Sequence, residues 1–276
     1  MDDYCVIGNP VQHSQSPWIH ARFAQLTGQQ LSYGRRQIAL DGFVDGLRAF
    51  RLAGGKGCNI TVPFKFQAAP LATALTARAG LAQACNTLRF DGAAAVYADN
   101  TDGVGLVSDI QHNAGVALAG RDLLLIGAGG AAAGVLGPLI EAAPRRILVV
   151  NRSPDKAEAL VRRHATLASR HGVELAAAAL ADVQGAFDIV VNATASSLSG
   201  AAVPVPHTVL RPGTLACDMM YGPAANSFIE WARSHGAVPR DGLGMLVEQA
   251  AEAFLVFRGV RPPSAQVLSE LRERLR

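Results

Sequence analysis

Short apolar runs alternate along the whole chain with longer segments in which apolar residues recur at helical spacing. Runs of the first kind predict strands, and segments of the second kind predict amphipathic helices. In the first hundred residues the predicted strands cover 4–8, 31–38, 56–62 and 85–90. The last of these continues through the Asp-Gly pair at 91–92, which predicts a hairpin.

Helix signals separate these strands. Ser16 and Pro17 form a predicted N-cap and first-turn pair for a helix that runs to about Gly28. A second helix is predicted within 41–55, since Phe43 and Phe50 fall on one helical face and glycines follow.

From about residue 119 the chain repeats strand–helix pairs. Such alternation predicts an α/β protein with parallel sheets covered by helices. The predicted strands lie at 122–126, 145–151, 187–194 and 214–221, with helices from Ser153, within 226–236, and at 244–257 and 264–276.

Composition narrows the class of protein. The chain has 276 residues, which fits two domains or one large α/β unit, and with 50% hydrophobic and 17% charged residues it fits a well-buried globular protein and excludes a disordered chain. The net charge of +3, without basic runs, argues against nucleic-acid binding. The acidic N-terminus predicts no export signal, and the glycine-broken apolar runs predict no membrane span. We therefore expect a protein that acts on small molecules.

Cysteine and histidine spacing excludes two further classes of site. The four cysteines lie far apart in apolar contexts, which predicts reduced core residues in a cytoplasmic protein. His164 and His171 are two helical turns apart, too far to share an ion. The sequence predicts no metal site.

A glycine-rich turn follows the strand at 122–126. Gly127, Gly129 and Ala132 stand in the GxGxxA register between strand and helix, where a dinucleotide pyrophosphate binds the helix N-terminus. The alternative is a glycine-rich packing turn without a ligand. The strand–turn–helix context favours dinucleotide binding.

The next strand ends at the sequence NRSPDK. An NAD site needs an acid here for the ribose hydroxyl, whereas this chain offers Asn151, Arg152, Ser153 and Lys156. Two cations and a hydroxyl suit a 2′-phosphate, so the loop predicts NADP. Asp155 falls inside the helix. The alternative is an ordinary solvated helix start.

Polar residues follow the predicted strands of the first unit. Because carboxyl ends of parallel strands line one crevice, we expect these side chains to converge on a polyhydroxylated carboxylate. Each alone has a structural explanation as a cap, a turn or an exposed lysine. They are Ser14, Ser16, Asn59, Thr61, Lys65, Asn86, Thr87, Asn100, Thr101 and Asp102.

Lys65 and Asp102 are the predicted proton-transfer pair. Removing a hydride from an alcohol requires a base that takes the hydroxyl proton. Burial favours the neutral amine of Lys65, whereas Asp102 favours its ammonium form, and the sequence leaves that balance open.

Motifs along nearly the whole chain together resemble the shikimate dehydrogenase family. The first and fourth are the most specific. In order they are VIGNPVQHSQSPWIH, NITVPFK, CNT, DNTDG, GAGGAA, NRS, NATASS, DMMYGP and DGLGMLVEQA.

The resemblance implies an N-terminal α/β substrate domain at 1–104, completed by helices at about 243–276, and a Rossmann NADP-binding domain at 105–242. It implies reversible NADP-linked reduction of 3-dehydroshikimate to shikimate in aromatic amino acid biosynthesis, by a cytoplasmic monomer or homodimer. Lys65 and Asp102 would be catalytic. The substrate would bind Ser14, Ser16, Asn59, Thr61, Asn86, Tyr221 and Gln249, besides the catalytic pair, with the two serines on its carboxylate.

The resemblance also distributes the cofactor contacts. Pyrophosphate would meet the glycine loop, the adenosine phosphate would meet the NRSPDK loop, and the nicotinamide half would lie along later strand ends. The implied residues are Gly127, Ala128, Gly129, Gly130 and Ala131; Asn151, Arg152, Ser153 and Lys156; and Asn192, Ala193, Thr194, Met219, Gly242 and Met245.

Lys156 stands where the family often has arginine, and Ala195 where it often has serine.

One alternative function is that of a dehydrogenase of the same fold that also takes quinate, or that uses NAD. The cofactor loop argues against NAD, and nothing in the sequence excludes quinate. A non-catalytic dinucleotide-binding regulator is the other, and the presence of both Lys65 and Asp102 speaks against it.

Overall fold

The apolar runs of the sequence form two six-stranded sheets in the computed structural model, which describes residues 1–92, 94–194 and 203–276. The strands are β1 (Asp2–Gly8), β2 (Leu31–Gln37), β3 (Gly57–Ile60), β4 (Ala74–Leu75), β5 (Thr87–Asp91), β6 (Ala95–Asp99), β7 (Asp122–Ile126), β8 (Arg146–Asn151), β9 (Glu174–Ala179), β10 (Ile189–Asn192), β11 (Leu215–Asp218) and β12 (Val238–Arg240). The helices are α1 (Ser16–Thr27), α2 (Phe43–Leu52), α3 (Lys65–Ala68), α4 (Ala77–Ala82), α5 (Asp102–Ser108), α6 (Gly130–Glu141), α7 (Pro154–His171), α8 (Asn226–Ser234), α9 (Leu243–Arg258) and α10 (Ser264–Arg274).

Each sheet belongs to its own compact unit. The first unit comprises Met1–Gly105 and Leu246–Arg276, and the second comprises Leu106–Met245. No helix in the described ranges is long and apolar enough to cross a membrane.

The sheet of the first unit has the order β2-β1-β3-β5-β6-β4 and is mixed. The predicted hairpin of β5 and β6 is confirmed, whereas the predicted parallel arrangement is wrong for β5 and β3, which pair antiparallel. The physical reason is the hairpin: Gly92, at a φ of 73°, turns the chain directly from β5 into β6. Residue 93, which follows Gly92 in the sequence, lies outside the described ranges.

The antiparallel β5 still brings the polar residues to one edge. Thr87 opens β5 opposite Asn59 of β3 on one side and Asp99 of β6 on the other. The amino end of β5 therefore lies between the carboxyl ends of its two neighbours.

Helix α2 buries the apolar face that its sequence predicts. Phe43, Leu47 and Phe50 are all buried, and they pack with Phe64 against the first sheet. The Phe43 and Phe64 rings stack with centroids 4.8 Å apart. Full burial of each such side chain stabilises the fold by roughly 1.5–3 kcal/mol.

The C-terminal helices pack in the first unit, as predicted. Phe254 of α9 lies edge-on to Phe23 of α1, with ring centroids 5.7 Å apart. Arg22 of α1 forms an ion pair with Glu270 of α10 at 2.6 Å. The last two helices therefore complete the core that the N-terminal part begins.

The second unit holds an all-parallel sheet in the order β12-β11-β10-β7-β8-β9. This is the strand order of doubly wound dinucleotide-binding sheets. Strands β8 and β9 are added on one side of β7 and strands β10 to β12 on the other, so the direction of addition reverses between β7 and β10. The predicted Rossmann arrangement is confirmed. Ligands of such sheets bind beyond the carboxyl ends of the strands at that reversal.

Candidate active site

Lys65 and Asp102 form an ion pair in the first unit. Lys65 begins α3 and Asp102 begins α5, and Lys65 Nζ lies 2.6 Å from Asp102 Oδ2. The two side chains are only 13% and 7% exposed, so the pair is largely removed from solvent screening. The Cys85 backbone N–H donates to Lys65 O at 2.9 Å, which ties the start of α3 to the residue before Asn86.

The Asn86 amide connects this pair to its surroundings. Asn86 Nδ2 donates to Asp102 Oδ1 at 2.9 Å, to Thr101 Oγ1 at 2.9 Å and to Gln249 Oε1 at 3.2 Å. Asn86 Oδ1 accepts from the Thr101 N–H at 2.8 Å. Both carboxylate oxygens of Asp102 are thus held by donors, one from Lys65 and one from Asn86.

The side chain of Asn59, which contacts Asn86, is also buried. Its Nδ2 donates to Asn86 O at 3.1 Å and to Thr87 Oγ1 at 3.0 Å. Its Oδ1 accepts a hydrogen bond from the Tyr33 hydroxyl at 2.7 Å. Tyr33 carried no prediction, because nothing in the sequence around it marks it as part of a site.

Gln249 approaches from α9. Its Nε2 donates to Leu246 O at 2.8 Å, one turn earlier in the same helix. Gly105 faces it closely: a Cβ there would stand 2.6 Å from the Gln249 backbone nitrogen. The absence of a side chain at Gly105 therefore allows α5 and α9 to meet.

The serine pair lies at the start of α1. Ser14 Oγ donates to Ser16 Oγ at 3.1 Å. The predicted N-cap at Ser16 is wrong, because Gln15 takes that position and no side chain caps the helix. Because the Ser16 hydroxyl accepts from Ser14 and does not cap the backbone, its own proton remains available to donate to a ligand.

Arg35 of β2 holds the loop that carries Ser14, a role that no pattern in the sequence predicts. Its Nε and Nη2 both donate to Ser14 O, at 3.0 and 2.6 Å.

Thr61 is half-buried and lies close to Gly8. A Cβ at Gly8 would stand 2.3 Å from Thr61 Cγ2. Within the described residues no recorded hydrogen bond joins Thr61 or the serine pair to the Lys65–Asp102 cluster.

A second buried carboxylate, Asp99, supports the turn before Asp102. Arg78 donates to it from Nε and Nη2 at 2.7 and 2.6 Å, and Thr76 Oγ1 donates at 2.7 Å. Burial by itself would raise the pKa of Asp99, but these hydrogen bonds hold it below its usual value. Arg78 also binds Glu252 of α9 at 3.0 Å. No pattern in the sequence indicated this network.

The glycine turn of the second unit follows β7. Gly127 has a φ of 114°, and a Cβ there would stand 3.1 Å from Ala193 O. Gly129, in contrast, has a φ of −85°, and a Cβ there would meet nothing. Glycine at 127 is therefore required by the protein itself, whereas at 129 it leaves free space beside the helix N-terminus. Ala132 is fully buried where α6 packs.

The loop after β8 presents unpaired cations. Arg152, Ser153 and Lys156 are exposed, and within the described residues no ion pair is recorded for either cation. Asn151 Nδ2 donates to Ser153 O at 3.0 Å and shapes the loop. Asp155 lies within the first turn of α7, as predicted.

Asn192, at the end of β10, forms hydrogen bonds that connect the ends of β10 and β11. Its Oδ1 accepts from Thr194 Oγ1 at 2.7 Å, and its Nδ2 donates to Asp218 Oδ2 at 3.1 Å. The Met219 N–H donates to Asn192 O at 3.0 Å. The predicted Ala195 lies outside the described residues.

Gly242 approaches the same region of the second unit. A Cβ there would stand 2.3 Å from Met219 O, so only glycine fits. Met245 is buried and Tyr221 is half-buried.

Asp109 and Arg240 form a buried two-point ion pair at 2.5–2.6 Å that the sequence did not indicate. Within the described ranges no three His, Cys, Asp or Glu side chains are grouped to hold a metal ion.

An α/β unit with a Rossmann glycine turn, together with a unit that holds a buried lysine–carboxylate pair, defines a dinucleotide-dependent oxidoreductase. Residues 6–88 match the shikimate dehydrogenase substrate binding domain, 109–200 match the shikimate / quinate 5-dehydrogenase domain, and 242–272 match the shikimate 5′-dehydrogenase C-terminal domain. The chain belongs to the shikimate dehydrogenase family.

Relatives of full length agree with this membership. A protein named shikimate dehydrogenase (NADP(+)) from Paracidovorax citrulli is 65% identical over 99% of this chain and 98% of its own. The crystal structure of an Ael1 enzyme from Pseudomonas putida is 45% identical, with a TM-score of 0.88 over 98% of both chains. Shikimate 5-dehydrogenase from Thermus thermophilus, in complex with NADP(H) and shikimate, is 29% identical, with a TM-score of 0.85 over 100% of both chains. The resemblance seen in the sequence is confirmed.

Proposed function

We propose that this protein catalyses the reversible NADP-linked interconversion of shikimate and 3-dehydroshikimate, a step of aromatic amino acid biosynthesis. The substrate and cofactor follow from family membership and from the names of the full-length relatives. The observation that supports the chemistry is the desolvated ion pair between Lys65 and Asp102.

The ion pair provides the proton that the reaction moves. In reduction of the ketone, the Lys65 ammonium group donates a proton to the oxygen as the nicotinamide of NADPH supplies hydride to the carbon. In oxidation of the alcohol, the neutral Lys65 amine accepts the hydroxyl proton. Asp102 orients Lys65 in both directions and stabilises its charged form.

Most of the proposed substrate contacts are polar side chains of the first unit. Ser14 and Ser16 bind the carboxylate with their hydroxyl groups. Asn59 and Asn86 have spent their amide hydrogens on the protein, and Asn86 Oδ1 already accepts from Thr87 and Thr101, so both position the site and only Asn59 Oδ1 still offers an acceptor. The remaining proposed contacts with the substrate are Thr61, Tyr221 and Gln249, in addition to the catalytic pair.

The cofactor contacts follow the strand ends of the second unit. Gly127, Ala128, Gly129, Gly130 and Ala131 hold the pyrophosphate at the N-terminus of α6. Asn151, Arg152, Ser153 and Lys156 bind the 2′-phosphate, for which the unpaired cations are suited. Asn192, Ala193, Thr194, Met219, Gly242 and Met245 line the nicotinamide half.

Steady-state oxidation of shikimate and quinate, each with NADP and with NAD, tests this function by nicotinamide absorbance. We expect shikimate with NADP to dominate. Comparable rates with quinate or NAD would contradict the assigned specificity, and no turnover with any pair would contradict the assigned enzyme activity.

We also assign the enzyme to the cytoplasm as a monomer or homodimer. Its four cysteines are buried free thiols, which suits a reducing compartment. Sedimentation equilibrium of the purified protein distinguishes the two oligomeric states.

A further inference from the structure

Among the residues that the structure describes, the partners of the Asn59 side chain leave one hydrogen-bonding position open. Its two amide hydrogens go to Asn86 O and Thr87 Oγ1, and one lone pair of Oδ1 accepts from Tyr33. A carbonyl oxygen has two lone pairs, so a single acceptor position remains. Asn59 can therefore recognise a hydroxyl group that donates, and nothing that only accepts.

Tyr33 and Asn86 together fix which way the Asn59 amide points. A flipped amide would place Oδ1 against the Asn86 carbonyl oxygen, two acceptors facing each other. The Asn86 carbonyl therefore requires the amide nitrogen on its side, and Oδ1 is left facing Tyr33. The Tyr33 hydroxyl must be the donor of the 2.7 Å contact.

The Tyr33 ring is held by packing. It stacks on His20 with centroids 4.1 Å apart and an angle of 7° between the rings. Desolvation keeps the pKa of the Tyr33 hydroxyl well above its ordinary value, so the donor proton is retained across the working pH range. In the sheet Tyr33 lies directly opposite Tyr4 of β1.

From Tyr33 a continuous path of hydrogen bonds leads to the ion pair. Asn59 donates to the Asn86 carbonyl, and the Asn86 amide donates to Asp102 Oδ1 at 2.9 Å. We propose that Tyr33 is a positioning residue of the reaction: its hydroxyl orients Asn59 so that the free lone pair of Oδ1 accepts a substrate hydroxyl. The proposal rests on the proposed function, because it presumes that Asn59 contacts a hydroxylated substrate.

Tyr33→Phe removes the donor and keeps the ring, and Tyr4→Phe is its matched control. Tyr4 is a buried tyrosine of the same sheet, but the recorded partner of its hydroxyl is Arg258 at 3.4 Å, outside the amide network. We expect Tyr33→Phe to lower kcat/KM for shikimate by about tenfold, because a buried acceptor loses its donor. The KM for NADP at saturating shikimate should not change. Tyr4→Phe should stay within about twofold of wild type.

A double-mutant cycle tests whether Tyr33 acts through Asn59. In an Asn59→Ala background, Tyr33→Phe should cause no further loss of kcat/KM. A full tenfold loss in that background, or a Tyr33→Phe value within twofold of wild type, would overturn the proposal. If Asn59→Ala does not fold, the split between shikimate and NADP kinetics in Tyr33→Phe decides, since a general loss of structure would impair both. Turnover by the wild-type enzyme tests the proposed function independently of this comparison.

Discussion

The Lys65 ammonium group has one recorded partner among the described residues, the Asp102 carboxylate 2.6 Å away. Two of its three N–H bonds are therefore available to a substrate oxygen. This geometry suits a residue that moves a proton, because a lysine with a purely structural role would be expected to use more of its donors on the protein.

Lys65→Ala should lower kcat for shikimate oxidation by two or more orders of magnitude, since the general base is lost. The KM for shikimate should change less, because the Ser14 and Ser16 hydroxyl groups and the Asn59 and Asn86 side chains remain. The exposed Lys56→Ala in the same unit is the control for a lost lysine charge. A kcat for Lys65→Ala within threefold of wild type would show that Lys65 is not the base.

The predicted fold depended on local signals, and it was wrong where contacts between distant residues decide. The alternation of strands and helices predicted both α/β units and the order of elements. The Asp-Gly turn predicted the antiparallel pairing of β5 with β6, which is confirmed, whereas the antiparallel pairing of β5 with β3 was not predicted, because it depends on the whole sheet. Ser16 is a local exception: it stands before Pro17 as a cap would, yet its hydroxyl accepts from Ser14, only two residues away.

The candidate site likewise contains residues that sequence position could indicate and residues that it could not. Polar residues near the ends of predicted strands, such as Asn59 and Asn86, could be selected from the sequence by position. Their supporting partners could not: Tyr33 lies 26 residues before Asn59, and Arg78 lies 21 residues before Asp99. No periodicity or spacing rule connects such pairs, because only the assembled sheet brings them together.

Gly127 and Gly129 should respond differently to alanine. Gly127→Ala should lower the free energy of unfolding by about 1–3 kcal/mol, since its φ of 114° is unfavourable for a residue with a side chain. Gly129→Ala has an ordinary φ and open space, so its free energy of unfolding should stay within about 1 kcal/mol of wild type.

In Gly129→Ala the KM for NADP should nevertheless rise, because the added methyl group occupies space left for pyrophosphate. Urea unfolding and cofactor kinetics measured on the same samples separate the two effects. An unchanged KM for NADP in Gly129→Ala would mean that pyrophosphate does not approach residue 129.

Arg152→Ala should raise the KM for NADP by about tenfold or more and leave kinetics with NAD nearly unchanged, because only NADP carries the 2′-phosphate. Arg170→Ala provides the control, since Arg170 is an exposed arginine in the last turn of the same helix that follows the loop. Equal losses with both cofactors would mean that Arg152 does not contact the phosphate.

His20 should make the fold sensitive to acid. It is buried, neither ring nitrogen has a recorded partner in the described residues, and desolvation lowers its pKa from the ordinary value of 6.5 to about 3. Below pH 6.5 the unfolded chain binds a proton at this residue that the folded protein does not, so stability falls as the pH falls toward 3.

This loss amounts to about 1.4 kcal/mol per pH unit, or roughly 2 kcal/mol between pH 7 and pH 5. His20→Phe keeps an aromatic ring of similar size in contact with Tyr33 and removes the titrating group. Urea denaturation at both pH values should therefore show a loss about 2 kcal/mol smaller in His20→Phe than in wild type. The exposed His13→Phe should keep the wild-type loss, since it leaves His20 in place. An equal loss in His20→Phe and wild type would mean that other groups carry the acid sensitivity of the fold.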